Sequence, residues 1–378
     1  MFVPIGIAFL LLYAALVYYI GWSGWRWIGP KASRTLKRLY AAAICVLALS
    51  FFLGQGFENV VFRIVGAYWM ALFSLLLMVL PLTQATVLLL RLTRLPRHRV
   101  EKASGVVALL VVAGFLGYGT YNAYSPVVRT YEVHIDKPNA YESSMTIAMA
   151  ADMHFGLLSG RDHAARMVEE INALRPDLVL FPGDLIDDAI GPYEDQGIPA
   201  VLQGIDAPLG VYATLGNHDK DEGPPQRVID AIERAGITVL RDEVATVADA
   251  FALVGRKDRS EPDRLPVAEL TARADRSKPL ILLDHQPYEL QAAQEAGVDL
   301  SVSGHTHRGQ VAPGHLITQR LYELDWGYLR KGSLHAIVTS GYGFWGPPIR
   351  IGSRAEIVRI EATFGTVDPQ ESNDTRRD

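Results

Sequence analysis

The 378-residue chain is 49% apolar and 20% charged, with a mean hydropathy of +0.13 and one cysteine, Cys45. That excludes a disordered chain, a disulfide scaffold and a cysteine-rich zinc module. The net charge of −5 hides a division: residues 1–130 carry 12 Lys/Arg against Glu58 and Glu101, whereas the remainder carries 24 basic against 39 acidic residues. A basic, apolar front joined to an acidic back is neither one soluble globule nor a typical nucleic-acid binder.

Four stretches without formal charge come first: Met1–Trp25, Leu39–Phe57, Ile64–Leu90 and Ser104–Val128. A helix crossing a bilayer needs about 20 apolar residues, so each predicts a transmembrane span. Pro81 in the third predicts a kink rather than a break. Trp22, Trp25 and Trp27, with Tyr18 and Tyr19, gather at one end of the first stretch, as aromatics do at a membrane interface. No Lys or Arg precedes that stretch, which argues against a cleaved leader.

The loops set the orientation. Gly21–Arg38 carries Arg26, Lys31, Arg34, Lys37 and Arg38 with no acid, and Arg91–Ala103 carries five basic residues against Glu101. Basic loops stay in the cytoplasm, so everything after residue 128 is expected outside it, in an integral, multi-pass protein. None of the spans holds Asp, Glu, Lys, Arg or His, so the front half reads as an anchor rather than a transporter. The expected organisation is a membrane domain over 1–128, a linker over 129–140, an α/β domain over 141–365 and a polar, disordered tail over 366–378.

In the back half, short apolar runs alternate with amphipathic segments. Strands are expected at Met145–Ala150, Leu178–Phe181, Val211–Leu215, Leu280–Leu283, Leu300–Ser303, His335–Thr339 and Ala355–Ile360. Helices are expected at Asp162–Leu174, Pro225–Ala235 and Tyr288–Ala296. This is the pattern of a sheet covered by helices.

Metal-competent residues follow five of these strands: Asp152-Met153-His154, Gly183-Asp184, Gly216-Asn217-His218-Asp219, Asp284-His285 and Gly304-His305-Thr306-His307. Ligands bind at the carboxyl edge of such sheets, so the five segments should converge. In an extended strand residues i and i+2 face one way, which would let Asp152 and His154 grip one ion, and would likewise let His305 and His307 reach into one site. Carboxylate, amide and imidazole donors without cysteine suit Mn, Fe or Zn. The donors outnumber what one ion takes, which favours two divalent ions sharing a carboxylate.

The series D-x-H, G-D, G-N-H-D, H, G-H-x-H resembles the calcineurin-type metallophosphoesterase superfamily over residues 145–361. The stretch Gly341–Arg350 is similar to its small bacterial membrane-associated branch, and the four spans resemble transmembrane proteins with a metallophosphoesterase domain. The resemblance implies an α/β sandwich of two mixed β-sheets flanked by helices. It also implies that Asp152, His154 and His307 hold one metal, that Asn217, His285 and His305 hold the other, and that Asp184 bridges both. His218 would act beside the phosphate, oriented by Asp219, while a metal-bridging hydroxide attacks in line with the P–O bond. One departure is Arg308, where close relatives often carry Gly; it is either a phosphate-binding group or a solvated loop arginine.

Asp187 and Asp188 read as loop caps or as residues supporting the ligands, and His98, His134, His163, His315 and His335 as structural or exposed. Trp326, with Tyr328 and Leu329, either touches lipid or packs. The sequence thus points to a membrane-anchored phosphoesterase acting on phosphodiester or pyrophosphate bonds of a lipid-linked or membrane-proximal substrate, with no nucleic-acid partner. Its rival is a silent membrane sensor or scaffold that binds a phospho-ligand at the metal site.

Overall fold

The structure, a computed structural model, describes residues 2–29, 32–57, 59–220 and 225–365. The tail at 366–378 and the loop charges Lys31 and Glu58 lie outside the described residues. Two compact units emerge: Met1–Tyr121 with Gly346–Ile349, and Asn122–Trp345 with Arg350–Asp378.

The first unit is built from α1 (Phe2–Ile28), α2 (Arg34–Gly56), α3 (Val60–Leu90) and α4 (Arg97–Tyr124), each long and apolar enough to cross a membrane. Ser33 and Asn59 cap α2 and α3, accepting from the amides of Leu36 and Phe62 and so satisfying donors that a helix start leaves unpaired. The helix α3 runs on through Pro81. Small residues bring α2 and α3 together: a Cβ on Gly66 would lie 2.7 Å from Phe51 Cα, the kind of close approach that drives association where no hydrophobic effect operates. A polar relay ties three helices, with buried Trp69 donating to the Tyr13 hydroxyl at 2.7 Å and Tyr13 donating to the Ala48 carbonyl at 2.8 Å.

The second unit contains β1 (Val127–Ile135), β2 (Ser144–Met149), α5 (Arg161–Ala173), β3 (Leu178–Pro182), α6 (Ile190–Asp195), α7 (Ile198–Leu202), β4 (Val211–Thr214), α8 (Gln226–Glu233) and β5 (Thr238–Val239). It continues with β6 (Glu243–Val247), β7 (Phe251–Gly255), α9 (Val267–Thr271), β8 (Leu280–Leu283), α10 (Leu290–Glu295), β9 (Leu300–Ser303), α11 (His315–Leu321), β10 (Gly327–Lys331), β11 (Leu334–Val338) and β12 (Glu356–Phe364). The strands form two six-stranded mixed sheets, in the orders β1-β12-β2-β3-β4-β5 and β10-β11-β9-β8-β7-β6.

Strand alternation sorts the core into layers. Ile147, Met149, Leu178 and Leu180 from one sheet meet Ile281, Leu283, Leu300 and Val302 from the other between the sheets. Their neighbours Ala148, Val179 and Phe181 face outward under α5 and α8, through Ala164, Met167 and Ile232. Leu280 and Leu282 face outward under α9 and α10, through Leu270 and Ala293. The result is the expected α/β sandwich of two mixed sheets flanked by helices.

One segment departs from expectation. The fourth charge-free stretch was expected to span to Val128 and a linker to follow, but α4 ends at Tyr124 and Val127–Ile135 is a strand, paired in parallel with β12 over its whole length. Two β-branched valines after Pro126, then alternating exposure, explain why the chain extends there instead of staying helical. Strands β2, β3 and β4 run parallel in one sheet, and β8 and β9 in the other. Their carboxyl ends carry all five metal-competent segments.

Candidate metal centre

The segments converge. Ligand atoms of Asp152, His154 and His307 lie within 4.8 Å of one another, as do those of Asp184, His285 and His305. The two groups meet at Asp184, whose Oδ2 is 3.1 Å from His285 Nε2 and 3.8 Å from His154 Nε2. Asn217 Oδ1 lies 3.2 Å from His285 Nε2, and His154 Nε2 lies 3.1 Å from His307 Nε2.

Extended-strand geometry does not produce this. The strand β2 ends at Met149, and Asp152 and His154 follow with φ of +53° and +45°; Asp184, His305 and His307 are also left-handed, at +54°, +72° and +47°. Five non-glycine residues in this sparsely allowed region store strain that the surrounding packing must hold. The side chains converge because the backbone turns sharply after each strand. Glycines make room: a Cβ on Gly304 would lie 2.5 Å from Asp152 Oδ2, and one on Gly216 would overlap the Asp184 carboxylate.

The donor chemistry fits divalent cations. His285 Nδ1 lies 2.9 Å from the Pro182 carbonyl, to which it must donate, so Nε2 presents its lone pair to two further acceptors, Asp184 and Asn217. Only a proton or a cation reconciles three acceptors at such distances. Burial works against a charged His285, but Asp184 and Asp152 outweigh it and raise the imidazole to about 10. Burial alone would raise Asp184, yet His285 and His154 hold it far below the usual carboxylate range. Burial and the His285 charge keep His305 at about 4, and burial with the His154 charge keeps His307 well below its ordinary value. Two buried carboxylates thus lie among imidazoles, of which His305 and His307 are kept neutral by burial, a donor set that suits divalent cations.

Backbone amides complete the cradle. The His305 amide donates to Asp152 at 2.9 Å and the His218 amide to Asp184 Oδ1 at 2.8 Å. Fully buried Arg350 donates to His307 Nδ1 at 3.1 Å and to the Gly343 carbonyl at 2.6 Å. Charge and shape at His307 therefore depend on a residue more than 40 positions later, which no local spacing signalled.

The orienting acid at His218 is not Asp219. The Asp219 carboxylate accepts from the amides of Gly216 and Ile186, both at 2.8 Å, which ties the turn after β4 to the turn after β3. Burial, with the charge of Asp184, pushes it up to about 7. At His218 the partner is Asp188, whose Oδ1 is 3.0 Å from Nδ1 and also 3.1 Å from Lys220 Nζ. Asp187 flanks His154 Nδ1 at 3.5 Å. The pair following Asp184 in sequence therefore supports two of the imidazoles, and that spacing was the available signal.

Other candidates resolve as structure. Asp284 is buried between Arg256 and Arg264. Arg308 lies with its guanidinium 3.8 Å over the Trp326 ring, and the Trp326 indole donates to Glu356 at 3.1 Å; Arg308 is stacked rather than solvated, and Trp326 is packed. His335 is buried between the Tyr328 hydroxyl and the His134 carbonyl.

Known proteins resemble this chain in sequence. Residues 145–309 match the calcineurin-like phosphoesterase family. An uncharacterized metallophosphoesterase of Helicobacter pylori is 30% identical, over 66% of this chain and 68% of its own length. One from Aquifex aeolicus is 31% identical, over 66% and 97%. A transmembrane protein with metallophosphoesterase domain from Danio rerio is 30% identical over 68% of this chain and 62% of its own length. The chain belongs to the calcineurin-like metallophosphoesterases and is a metal-dependent phosphoesterase with four helices fit to cross a membrane.

Proposed function

We propose that this protein is a membrane-anchored, two-metal phosphoesterase that cleaves phosphodiester or pyrophosphate bonds in a lipid-linked or membrane-proximal substrate. The observation that carries the reading is the position of Asp184 Oδ2 between the two donor groups. Asp152, His154 and His307 would hold one cation and Asn217, His285 and His305 the other, with Asp184 shared. Bound there, two divalent cations (Mn, Fe or Zn) would supply an acidified water for in-line attack and neutralise charge building on the phosphoryl oxygens.

The chain's own groups do the rest. With Nδ1 turned to Asp188, His218 keeps Nε2 for the leaving oxygen, either as proton donor or as a charged hydrogen-bond donor. Asp188 fixes the ring orientation through its contact with Nδ1. Asp219 holds the turn that carries Asn217 and His218. The basic loops support a cytoplasmic placement for themselves, and hence an extracytoplasmic catalytic domain. Anchoring favours substrates in or at the bilayer, where local concentration is raised.

Full-length protein in detergent with Mn²⁺ tests this against an aryl phosphodiester, an aryl phosphomonoester and a lipid pyrophosphate, with Asp184→Asn as control. We expect turnover of the diester or pyrophosphate that the control loses. Exclusive turnover of the monoester would overturn the bond assignment. A reporter fused after Asp378 should be active only outside the cytoplasm; a cytoplasmic signal would reverse the orientation.

A further inference from the structure

Trp345 is an exposed aromatic beside the proposed proton donor. Its side chain is 55% exposed, and its ring centroid lies 5.7 Å from that of His218. The loop that carries it is tied down at many points. The amides of Tyr342 and Gly343 donate to the carbonyls of Ala151 and Asp152 at 2.8 and 2.9 Å, so the loop is bonded to the segment bearing the first donor group. Phe344 is buried, and Gln310 brackets Trp345 itself, accepting from its amide at 2.9 Å and donating to its carbonyl at 3.0 Å. A large aromatic held rigidly in water forfeits burial that a small loop rearrangement would recover. Such a residue suits a ligand it can cover at low entropic cost.

We infer that Trp345 is the platform for the leaving group, and that this group carries an aliphatic chain, so that the substrate is an amphiphilic phosphoester; the inference rests on the function proposed above. In hydrolysis, the oxygen of a water bonds to phosphorus while the bond from phosphorus to the leaving oxygen breaks. The electron pair departs with that oxygen, which takes a proton from His218 Nε2, giving an alcohol and a phosphate. Whatever the leaving oxygen carries therefore starts beside the His218 ring, where Trp345 stands. Two observations favour an aliphatic chain over a nucleoside. The Gln310 amide, which would otherwise be suited to a base edge, is engaged by the Trp345 backbone. Directly beyond Gln310, the helix α11 buries none of its side chains and exposes Leu316, Ile317 and Leu321.

The test uses the full-length protein in detergent with Mn²⁺ and a series of symmetrical dialkyl phosphates from methyl to octyl, below their micelle concentrations. Products are followed by mass spectrometry. The acidity of the leaving alcohol is nearly constant along the series, so chain length reports binding alone. In the wild type, kcat/KM should climb by about tenfold for every two methylenes that gain full contact. In Trp345→Ala that slope should collapse, mainly through KM, whereas Trp345→Phe should retain most of it. Metal content and Tm of both variants establish that they are folded. An unchanged slope in a folded Trp345→Ala, a flat wild-type slope, or preference for a dinucleotide over the octyl ester would overturn the inference. If the wild type cleaves none of these diesters and no lipid pyrophosphate, the bond assignment of the previous section fails instead.

Discussion

Asp188 Oδ1 sits 3.0 Å from Nδ1 of His218, while Asp219, the immediate neighbour of His218, turns away to accept two backbone amides. Adjacent residues often point in opposite directions at a turn, so sequence adjacency is a poor guide to which carboxylate orients an imidazole. Asp188 reaches the ring from a different strand end. It also pairs with Lys220, and His218 and Lys220 together hold it below the usual carboxylate range even though burial opposes this.

Replacing Asp188 with Asn should therefore lower kcat by about 10–100-fold, the usual cost of losing a partner that orients a functional imidazole. Metal content, read by elemental analysis, should stay unchanged. Asp219→Ala should behave differently: it leaves two buried amides unpaired and costs about 1–3 kcal/mol of stability for each. A chemical denaturation series separates the two effects. Equal catalytic loss with no stability change in both variants would contradict the division of roles.

Metal loading should be uneven across the ligand set. Asp184→Asn should lose both ions, whereas Asn217→Ala should weaken only the site it shares with His285 and His305. Chelation should lower Tm and re-addition of Mn²⁺ should restore it, because ions that bind only the folded chain stabilise it. A Tm indifferent to chelation, with metal demonstrably removed, would count against a buried cluster that depends on cations.

Away from the cluster, His163 provides a pH signature. It is buried on α5 against Tyr342 and Tyr124, and burial lowers its imidazole from 6.5 to about 4. Between those values the unfolded chain takes up a proton that the folded chain refuses. Stability therefore falls as pH drops from 6.5 towards 4, by up to about 3 kcal/mol, and is unaffected by this group above 6.5. In His163→Phe the denaturation midpoint should lose that part of its pH dependence; an unaltered profile would show that the group titrates normally in the fold.

The Asp284 cluster predicts a stability effect without a direct catalytic one. Asp284→Ala would strand buried Arg264 and leave Arg256 with Glu289 as its only acidic partner among the described residues, at a cost of about 3–5 kcal/mol. The denaturant midpoint should fall accordingly, while Asp284→Asn should lose less.

Much of this was legible in the sequence because two strong patterns carry it. Uninterrupted apolar runs mark the spans, and short apolar strands punctuated by Asp, Asn and His mark the edge where the cluster forms. The hairpin of β6 and β7 was missed because its turn, Ala248-Asp249-Ala250, contains no glycine; Ala248 and Asp249 adopt φ of +50° and +54° regardless. The left-handed ligands were missed for a related reason, since nothing local marks Asp152 or His307 as departing from extended geometry. Arg350 was invisible as a partner of His307 because the contact exists only once the chain after β11 folds back over the turn that follows β2. Where a residue's conformation is imposed by distant packing, spacing carries no trace of it.

Placing β1 directly after α4 has a practical consequence. Only Ser125 and Pro126 separate the last helical residue from a strand that forms the edge of its sheet. A soluble fragment begun at residue 130 would delete the first three residues of that edge and leave part of β12 uncovered, a template for intermolecular pairing. A fragment begun at Ser125 would keep the strand whole. Cleavage in that short joint during purification would release a catalytic domain with its sheet intact, whereas a cut a few residues later would yield an aggregating one, so the two cuts can be told apart by whether the released material stays in solution.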